Sequence, residues 1–263
     1  MSRWLLALVL GVLCVPAWAG DWRDTLTPVQ VGKFPPPRPW KGLYRFGWSG
    51  IPAAQASFDF EKAPRGQYQL NMTTQTTGVA RTLWRMDSTH TALCMASTLR
   101  PVCLRQTEVY KSETENTRAD FSPDGVRYLC QETPTKEPPR KERRFKFDKA
   151  FDLQSALLFI RSQRLQVGEH YRMVVFPGKG AYLADIDVVG REKLKVPAGS
   201  YDAIKFQLHL QEVNKRMELE PHKKFQRAYA WLSDDRDRLL LKIEAEVFVG
   251  SVWTELQSVE FPQ

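Results

Sequence analysis

Apolar and polar residues alternate with a period of two along most of the chain. Between residues 53 and 60 the alternating apolar positions are Ala54, Ala56, Phe58 and Phe60. After the turn-like segment KAPRG, the same pattern resumes at Tyr68, Leu70 and Met72. Alternation on both sides of a turn predicts a half-buried antiparallel hairpin.

The same alternation predicts strands at residues 86–94, 102–110, 114–121, 126–132, 170–177, 181–190, 201–213, 225–233, 238–249 and 252–261. A short helical turn is expected around residues 79–84. The chain has no repeated βαβ unit and no long apolar runs of the kind found in parallel sheets. We therefore expect a mainly β fold, with a large curved antiparallel sheet or a partly closed β-barrel.

The segment DLQSALLFIRSQRLQ, residues 152–166, predicts one amphipathic helix. Asp152 is a natural N-cap, and Gly168 follows as a stop signal. An apolar face is formed by Leu153, Ala156, Leu157 and Ile160, at i, i+3, i+4 and i+7. We expect this helix to pack on the sheet or inside it.

The segment VPAGSYDAIKF, residues 196–206, places Pro197 and Gly199 beside a strand pattern. Phosphate-binding loops need several glycines that open onto a helix N-terminus. Here a single glycine is followed by a strand, which predicts a hairpin turn.

Features near the N-terminus divide the chain into three regions. Residues 1–19 combine Arg3, a short apolar run and Ala17-Trp18-Ala19, which predicts a signal peptide cleaved near Ala19. The apolar run is shorter than the roughly 20 residues that span a bilayer. FPPPRPW predicts that residues 20–41 form a Pro-rich arm, acting as a spacer or strap or as a partner-binding segment. Residues 42–263 are expected to form a single antiparallel β domain, and we expect no transmembrane segment after cleavage.

The chain is basic, with a formal net charge of +8. This charge promotes solubility and can attract anionic lipid or polysaccharide. The segment TKEPPRKERRFKFDK, residues 135–149, is typical of a solvated loop, although it could contact phosphates or headgroups. Nucleic acid is not expected as a partner, because the basic runs are separated and no helix carries a basic recognition face.

Three cysteines would remain after cleavage: Cys94, Cys103 and Cys130. In an oxidising compartment one pair is expected to form a disulfide. Cys94 and Cys103 flank a predicted hairpin connection, so a local bridge between them is the simplest choice. Spacing alone does not establish connectivity, and the fate of Cys130 stays open.

Candidate catalytic patterns are weak. The four histidines, His90, His170, His209 and His222, are scattered singly, so we expect no metal or other cofactor. Asp185 and Asp187 share one face of a strand, where they could share a cation or simply be solvated. Gly47-Trp48-Ser49-Gly50 lacks the last glycine of a nucleophile elbow, and Asp234-Asp235-Arg236-Asp237 lacks the glycine and distal Glu of a calcium loop. We therefore predict a protein that is not an enzyme.

Several segments together resemble the domain-of-unknown-function 3108 family of bacterial exported proteins. They are YRFGWSGIPAAQASFDF, DLQSALLFIRSQRLQVGEHYRMVVF, VVGREKLKVPAGSYDAIKF and AYAWLSDDRDRLLLKIEAEVFVGSV. The resemblance implies a periplasmic antiparallel β fold with an internal helix and no catalytic residues to transfer. A weaker, fold-level similarity is seen in the segment from Trp231 to Ile243, a Trp followed by an acidic turn and an apolar strand. Half-barrels of the lipoprotein-carrier type have strands with the same pattern.

These features lead to two functional hypotheses. The first is an exported, non-enzymatic protein of the cell envelope that holds a lipid, an acyl chain or an envelope glycan in the concave face of its sheet. The alternative is a periplasmic scaffold whose Pro-rich arm and 135–149 loop contact another envelope protein. Trp231 and Phe159 could line a cavity, although ordinary core packing is the simpler expectation for both.

Overall fold

A computed structural model describes residues 21–134, 141–222, 225–247 and 249–262. The predicted signal peptide and its cleavage site therefore lie outside the described residues, as does part of the basic 135–149 segment. Within these ranges the N-terminal strands are β1 Trp40–Trp48, β2 Ile51–Ala63, β3 Gln67–Thr76, β4 Met86–Met95, β5 Pro101–Tyr110, β6 Thr114–Ser122, β7 Gly125–Thr133 and β8 Arg143–Phe145. The later strands are β9 His170–Val175, β10 Ala181–Val196, β11 Gly199–Val213, β12 Leu219–Pro221, β13 Phe225–Ser233, β14 Leu240–Val247 and β15 Ser251–Glu260.

All of these strands belong to one antiparallel sheet. Its order is β8-β7-β6-β5-β4-β3-β2-β1-β15-β14-β13-β11-β10-β9, and β12 pairs with β11. Neighbours in the sheet are mostly neighbours in sequence, because short turns join consecutive strands. The mainly β, antiparallel architecture predicted from the alternation is confirmed.

The hairpin of β10 and β11 shows how local chemistry sets the register. Val196 pairs with Gly199, so Pro197 and Ala198 form a two-residue turn. Gly199 has φ +142°, a conformation that side chains disfavour and glycine adopts freely. The segment VPAGSYDAIKF is thus the strand-joining turn that its pattern predicts.

Two helices interrupt the described strands: α1, Gly78–Leu83, and α2, Leu153–Ser162. Helix α1 confirms the helical turn expected around residues 79–84. Helix α2 begins as predicted, because the Asp152 carboxylate accepts hydrogen bonds from the backbone N–H groups of Gln154 and Ser155 at 2.8 and 3.1 Å. The Ser155 hydroxyl in turn accepts from the Asp152 N–H group, which completes a capping box.

The end and the buried face of α2 differ from the prediction. The helix stops at Ser162 rather than residue 166, because the Arg238 guanidinium binds the carbonyl oxygens of Arg161, Gln163 and Arg164. The chain then turns so that Leu165, with φ +58°, is fully buried. Leu153, expected on the apolar face, is 57% exposed, whereas Ala156, Phe159 and Ile160 are buried.

The sheet is rolled around α2. One face of β9, β10, β11 and β13 packs on the helix, and Leu158 of the helix contacts Phe60 and Tyr68 on the inner face of β2 and β3. The opposite face of β9 and β10, including Val174 and Leu183, packs against the inner face of β4–β7. A single parallel bridge between Phe151 and Val175 links the strand edge to the segment that precedes α2. The result is an open, overlapping roll.

Residues 21–39 form a strap along this roll. The backbone N–H group of Thr27 donates to the Arg172 carbonyl oxygen of β9 at 2.9 Å. Farther along, the Gly32 N–H group donates to the Ser162 hydroxyl at 3.0 Å. The strap is therefore held against both the sheet edge and the end of α2. No helix in the described part of the chain is long and apolar enough to cross a membrane.

Candidate functional site

The space inside the roll is filled. Between α2 and the inner face of β2–β4 only about 10 Å³ is left, lined by residues such as Phe60, Tyr68 and Leu158. Even one water molecule needs roughly 10–15 Å³. An acyl chain therefore does not fit between helix and sheet at this place.

The two aromatic residues considered as cavity-lining candidates are packed. Phe159 is fully buried in the core beside Phe151, with ring centres 5.1 Å apart. The indole N–H of Trp231 donates to Glu192 Oε1 at 2.6 Å, and the Lys205 ammonium lies 5.2 Å from its ring centre. Ordinary packing, the simpler expectation, is confirmed for both.

A much larger concavity, of about 430 Å³, crosses β1–β5 on the outer face of the sheet, which points away from α2. We call it the outer groove. It is lined by Leu43, Gln55, Ser57, Thr73, Thr74, Gln75, Asp87, Ser88, Thr89, Thr107 and Val109. Alternation explains its position, because Ala56, Phe60 and Tyr68 of the same strands point inward to the core.

The centre of the outer groove is a row of hydroxyl groups in register. Ser57 pairs with Thr73, Thr73 with Thr89, and Thr89 with Thr107. Leu43 of β1, paired with Ser57, closes the row at one end. Since neighbouring strands lie about 4.8 Å apart, a row across five strands extends over about 19 Å. We call these four hydroxyl residues the hydroxyl row.

A second row runs beside the first, towards α1. Gln55 pairs with Gln75, Gln75 with Asp87, and Asp87 with Val109. Arg81 of α1 donates to both carboxylate oxygens of Asp87, at 2.7 and 3.1 Å. The hydrogen bonds from Arg81 lower the pKa of Asp87, so this carboxylate is ionised and paired at neutral pH. The outer groove thus carries hydrogen-bonding side chains beside much apolar surface, and its one carboxylate is paired.

The hydroxyl row keeps much of its hydrogen-bonding capacity. The hydroxyls of Ser57 and Thr73 lie 2.5 Å apart, and the Thr107 hydroxyl donates to Asn116 Oδ1 at 2.9 Å. Each hydroxyl can both donate and accept, and the amides of Gln55 and Gln75 add further donors and acceptors. This chemistry suits a ligand that is itself rich in hydroxyl groups.

The structure also brings together residues that the sequence singled out separately. His170 Nδ1 lies 2.8 Å from Asp187 Oδ1, and its Nε2 lies 3.5 Å from Asp185 Oδ1. His209 and Arg172 also approach Asp185, at 3.9 and 2.9 Å. Strand pairing explains the cluster, since Asp185 pairs with Arg172 on one side and His209 on the other.

This His-Asp cluster is an open surface feature. The side chains of His170 and Asp187 are each about half exposed, and Arg172 forms an ion pair with Asp185. Among the described residues, no group of three or more His, Cys, Asp and Glu side chains is arranged to hold a metal ion. The cluster therefore offers a solvated ion-pair network rather than a deep polar pocket.

The structure does not join Cys94 and Cys103 in a disulfide. Ala92 pairs with Leu104 and Leu93 with Cys103, so Cys94 and Cys103 project from opposite faces of the sheet. The register of β4 and β5 sets this offset, which the spacing of the cysteines does not show. Burial raises the pKa of Cys94 to about 12. The pairing stays a prediction, and the register argues against it.

The two turn motifs that superficially suggest catalysis or calcium binding are local backbone structures. Ser49 and Gly50, with φ +47° and +81°, form the turn between β1 and β2. Asp235 Oδ1 accepts from the N–H groups of Asp237 and Arg238, at 2.8 and 3.0 Å. An aspartate that caps its own turn in this way needs no metal.

The model of DUF3108, described as a protein of unknown function, matches residues 43–257. The chain belongs to the DUF3108 family. No curated protein matches the chain. The family assignment confirms the resemblance carried by the segments from β1 to β15.

Solved structures resemble this DUF3108 protein in fold. A β-barrel-like protein of the domain of unknown function DUF1849 from Brucella abortus is 9% identical, with a TM-score of 0.60 over 87% of this chain and 100% of that chain. A protein from Bacteroides fragilis described as exported, with a YmcC-like fold, is 8% identical, with a TM-score of 0.34 over 88% and 99% of the two chains. A protein from Parabacteroides distasonis described as a lipoprotein is 10% identical, with a TM-score of 0.36 over 88% and 99%.

Proposed function

We propose that this DUF3108 protein is an exported, non-enzymatic protein of the cell envelope that binds an uncharged or weakly charged glycan in the outer groove. The observation that carries the proposal is the hydroxyl row, with its four side chains in register across neighbouring strands. Glycans present hydroxyl groups at regular intervals along an extended chain. A groove that crosses five strands over about 19 Å, with side chains of neighbouring strands about 4.8 Å apart, is complementary to such a ligand.

Electrostatics favour a neutral glycan over an anionic one. The carboxylate in the groove, Asp87, is paired with Arg81, and no basic side chain belongs to the lining. Leu43 and Val109 provide apolar contact for the faces of sugar rings. The sequence supports export through its leader-like residues 1–19.

Affinity in such a groove is expected to be modest. Each neutral hydrogen bond contributes about 0.5–1.5 kcal/mol after exchange with water. Five or six such bonds give about 2.5–9 kcal/mol. The middle of this range, about 4–8 kcal/mol, corresponds to a Kd between about 1 mM and 1 μM. Binding would therefore depend on several hydroxyl-row residues acting together.

The other versions of the functional hypothesis have less support. An acyl chain on the concave face would need space between α2 and β2–β4, but only about 10 Å³ is left there. A scaffold that uses the Pro-rich arm would have to use its exposed residues Pro35, Pro36 and Arg38, because Pro37 is buried and Gly32 is bonded to Ser162. Unlike the space beside α2, the outer groove is large enough to admit a ligand without rearrangement of the protein.

The test is a comparison of polysaccharide binding by two matched variants. Thr73→Val together with Thr89→Val removes two hydroxyls from the row and keeps the β-branched shape. Thr91→Val changes a threonine on the same face of β4, outside the groove lining. Binding to purified peptidoglycan and to neutral polysaccharides is measured by cosedimentation and calorimetry.

We expect the double variant to lose about tenfold or more in affinity, because two hydrogen bonds are worth roughly 1–3 kcal/mol. Thr91→Val should bind as the parent protein does. If the parent protein binds none of these glycans, or if both variants bind equally well, the proposal is wrong.

A further inference from the structure

Large apolar side chains are concentrated at one end of the sheet. Of the ten exposed large hydrophobic residues in the described ranges, six lie at this end. They are Trp48 at 48%, Ile51 at 61%, Val79 at 70%, Leu83 at 82%, Trp84 at 56% and Val249 at 60% exposure. We call this set the apolar rim.

Three turns bring the apolar rim together. Trp48 pairs with Ile51 across the β1–β2 turn, and its indole N–H donates to the Val249 carbonyl oxygen at 2.8 Å. Helix α1 is tied to the same end, since the Thr77 N–H group donates to the Ala53 carbonyl oxygen at 2.8 Å. The rim is therefore formed by neighbouring projections at the ends of β1, β2, β3 and β14.

The shape and composition of the apolar rim indicate what it contacts. Its side chains lie on turns and on a short helix at the end of the sheet. Such separate side chains can insert between lipid headgroups, because a bilayer surface adapts to their shape. Tryptophan is enriched where proteins meet the headgroup region of a bilayer, and aliphatic residues insert below it. Exposed large apolar side chains that are grouped at one end of a sheet mark a candidate interaction site.

The charged residues around the rim indicate whether it would bind an anionic bilayer. Arg81 and Arg85 flank Leu83 and Trp84, and both pair with Asp87. Glu108 and Glu113 lie close to Tyr110, whose ring stacks on Trp84, so the positive charge at the rim comes chiefly from the exposed end of Arg85. The side chain of Arg85 is 61% exposed, so it can reach anionic headgroups while the apolar residues insert. The whole chain carries a formal charge of +8, which favours approach to a negatively charged membrane.

We propose that the apolar rim docks this protein onto the surface of an anionic phospholipid bilayer, with Trp48, Leu83 and Trp84 inserted at headgroup level. Asp87 binds Arg81 of α1 and also lines the outer groove, so docking places the groove beside the membrane. The inference rests on the rim alone and does not depend on what the groove binds.

The test uses protein purified from the periplasm, with its N-terminus established by mass spectrometry, so that residues 1–19 do not contribute. Flotation is measured with vesicles of phosphatidylethanolamine and phosphatidylglycerol at 3:1, and with vesicles of phosphatidylcholine alone. We expect binding to the anionic vesicles and at least about tenfold weaker binding after Val79→Ser with Leu83→Ser, because two apolar side chains leave the bilayer. Arg85→Gln should weaken binding about fivefold and reduce its salt dependence.

A matched control changes Val167→Ser with Leu153→Ser, one valine and one leucine that are 56% and 57% exposed away from the rim. This control should bind vesicles as the parent protein does, and circular dichroism should show that both double variants are folded. The proposal is overturned if the parent protein fails to bind the anionic vesicles. It is also overturned if the rim and control variants lose binding equally, or if the rim is needed for a stable protein complex and not for vesicles.

Discussion

The guanidinium carbon of Arg238 lies 3.4 Å from the centre of the Phe34 ring. The guanidinium of Arg161 approaches the same ring, at 5.6 Å. Burial, together with the nearby Arg161, lowers the pKa of Arg238 to about 10. One aromatic ring from the N-terminal strap thus covers two cations. Arg238 binds main-chain carbonyls at the end of α2, whereas Arg161 binds those of Pro35, Arg236 and Asp237.

Removing this ring should loosen the strap. Phe34→Ala is expected to reduce the free energy of unfolding by about 1–2 kcal/mol, because cation–π contacts at partly desolvated sites contribute about 0.5–2 kcal/mol. Residues 26–39 should also become sensitive to proteases. Urea unfolding measures the first effect, and limited proteolysis with mass spectrometry measures the second.

Lys33→Ala is the control, since Lys33 is the exposed neighbour of Phe34. It should leave both the unfolding curve and the cleavage pattern unchanged. Equal protease sensitivity of Phe34→Ala and Lys33→Ala would show that the ring does not hold the strap.

The strap also depends on a close backbone approach at Gly32. A Cβ atom at this position would lie 2.0 Å from the Ser162 carbonyl oxygen, which is a main-chain atom at the end of α2. Gly32→Ala should therefore cost about 1–3 kcal/mol, in the range of overpacked substitutions. Thermal unfolding should show a clearly lower Tm than that of the parent protein.

Gly190→Ala is the matched control, because a Cβ atom there meets nothing within 4 Å. We expect its Tm to stay close to that of the parent protein. A Tm for Gly32→Ala equal to that of Gly190→Ala would mean that strap and helix can separate without cost.

Local chemistry explains which parts of the fold the sequence predicted. Alternation identified the strands, and Asp152 identified the start of α2, because both signals arise from residues close in the chain. The end of α2 could not be predicted in the same way, since it depends on Arg238, 77 residues after Arg161. Local sequence patterns cannot show a contact between residues so far apart in the chain.

The outer groove was missed for a related reason. Ser57, Thr73, Thr89 and Thr107 are unremarkable polar positions of four separate strands. Only the register of β2–β5 aligns them into one row. The placement of Cys94 and Cys103 on opposite faces has the same character, because it depends on the pairing of Leu93 with Cys103 across two strands.

The register leads to a prediction for the cysteines. Because Cys94 and Cys103 point to opposite faces and burial raises the pKa of both thiols, we expect neither to react rapidly with iodoacetamide in the native protein at pH 8. Both should be alkylated in denaturant. Peptide mapping without reducing agent should then recover them as separate alkylated peptides.

The same peptide map tests the bridge that the spacing suggests. A disulfide-linked peptide containing Cys94 and Cys103 would contradict the register of β4 and β5. Rapid alkylation of Cys94 in the native protein would contradict its burial between Phe60, Tyr68 and Leu99.

The N-cap of α2 should make stability depend on pH in an unusual direction. Asp152 is fully buried, and burial raises the pKa of its carboxyl group despite the hydrogen bonds from Ser155 and Gln154. The folded protein therefore binds a proton at this site more tightly than the unfolded chain does. The contribution of Asp152 to stability is fully present below the unfolded pKa of about 3.9 and is lost as pH rises through the raised folded pKa.

Two substitutions separate the charge from the cap. Asp152→Asn keeps an acceptor for the N–H groups and cannot ionise, so the free energy of unfolding should lose this part of its pH dependence and be at least as high as that of the parent protein at pH 7. Asp152→Ala removes the cap as well and should be less stable than Asp152→Asn by about 0.5–2 kcal/mol at every pH. Urea unfolding at pH values from 3.5 to 7.5 measures both, with the difference between each variant and the parent taken at each pH so that other titrating groups cancel. If the difference between Asp152→Asn and the parent protein stays constant across this range, or grows in favour of the parent as pH rises, the buried carboxyl group does not have a raised pKa.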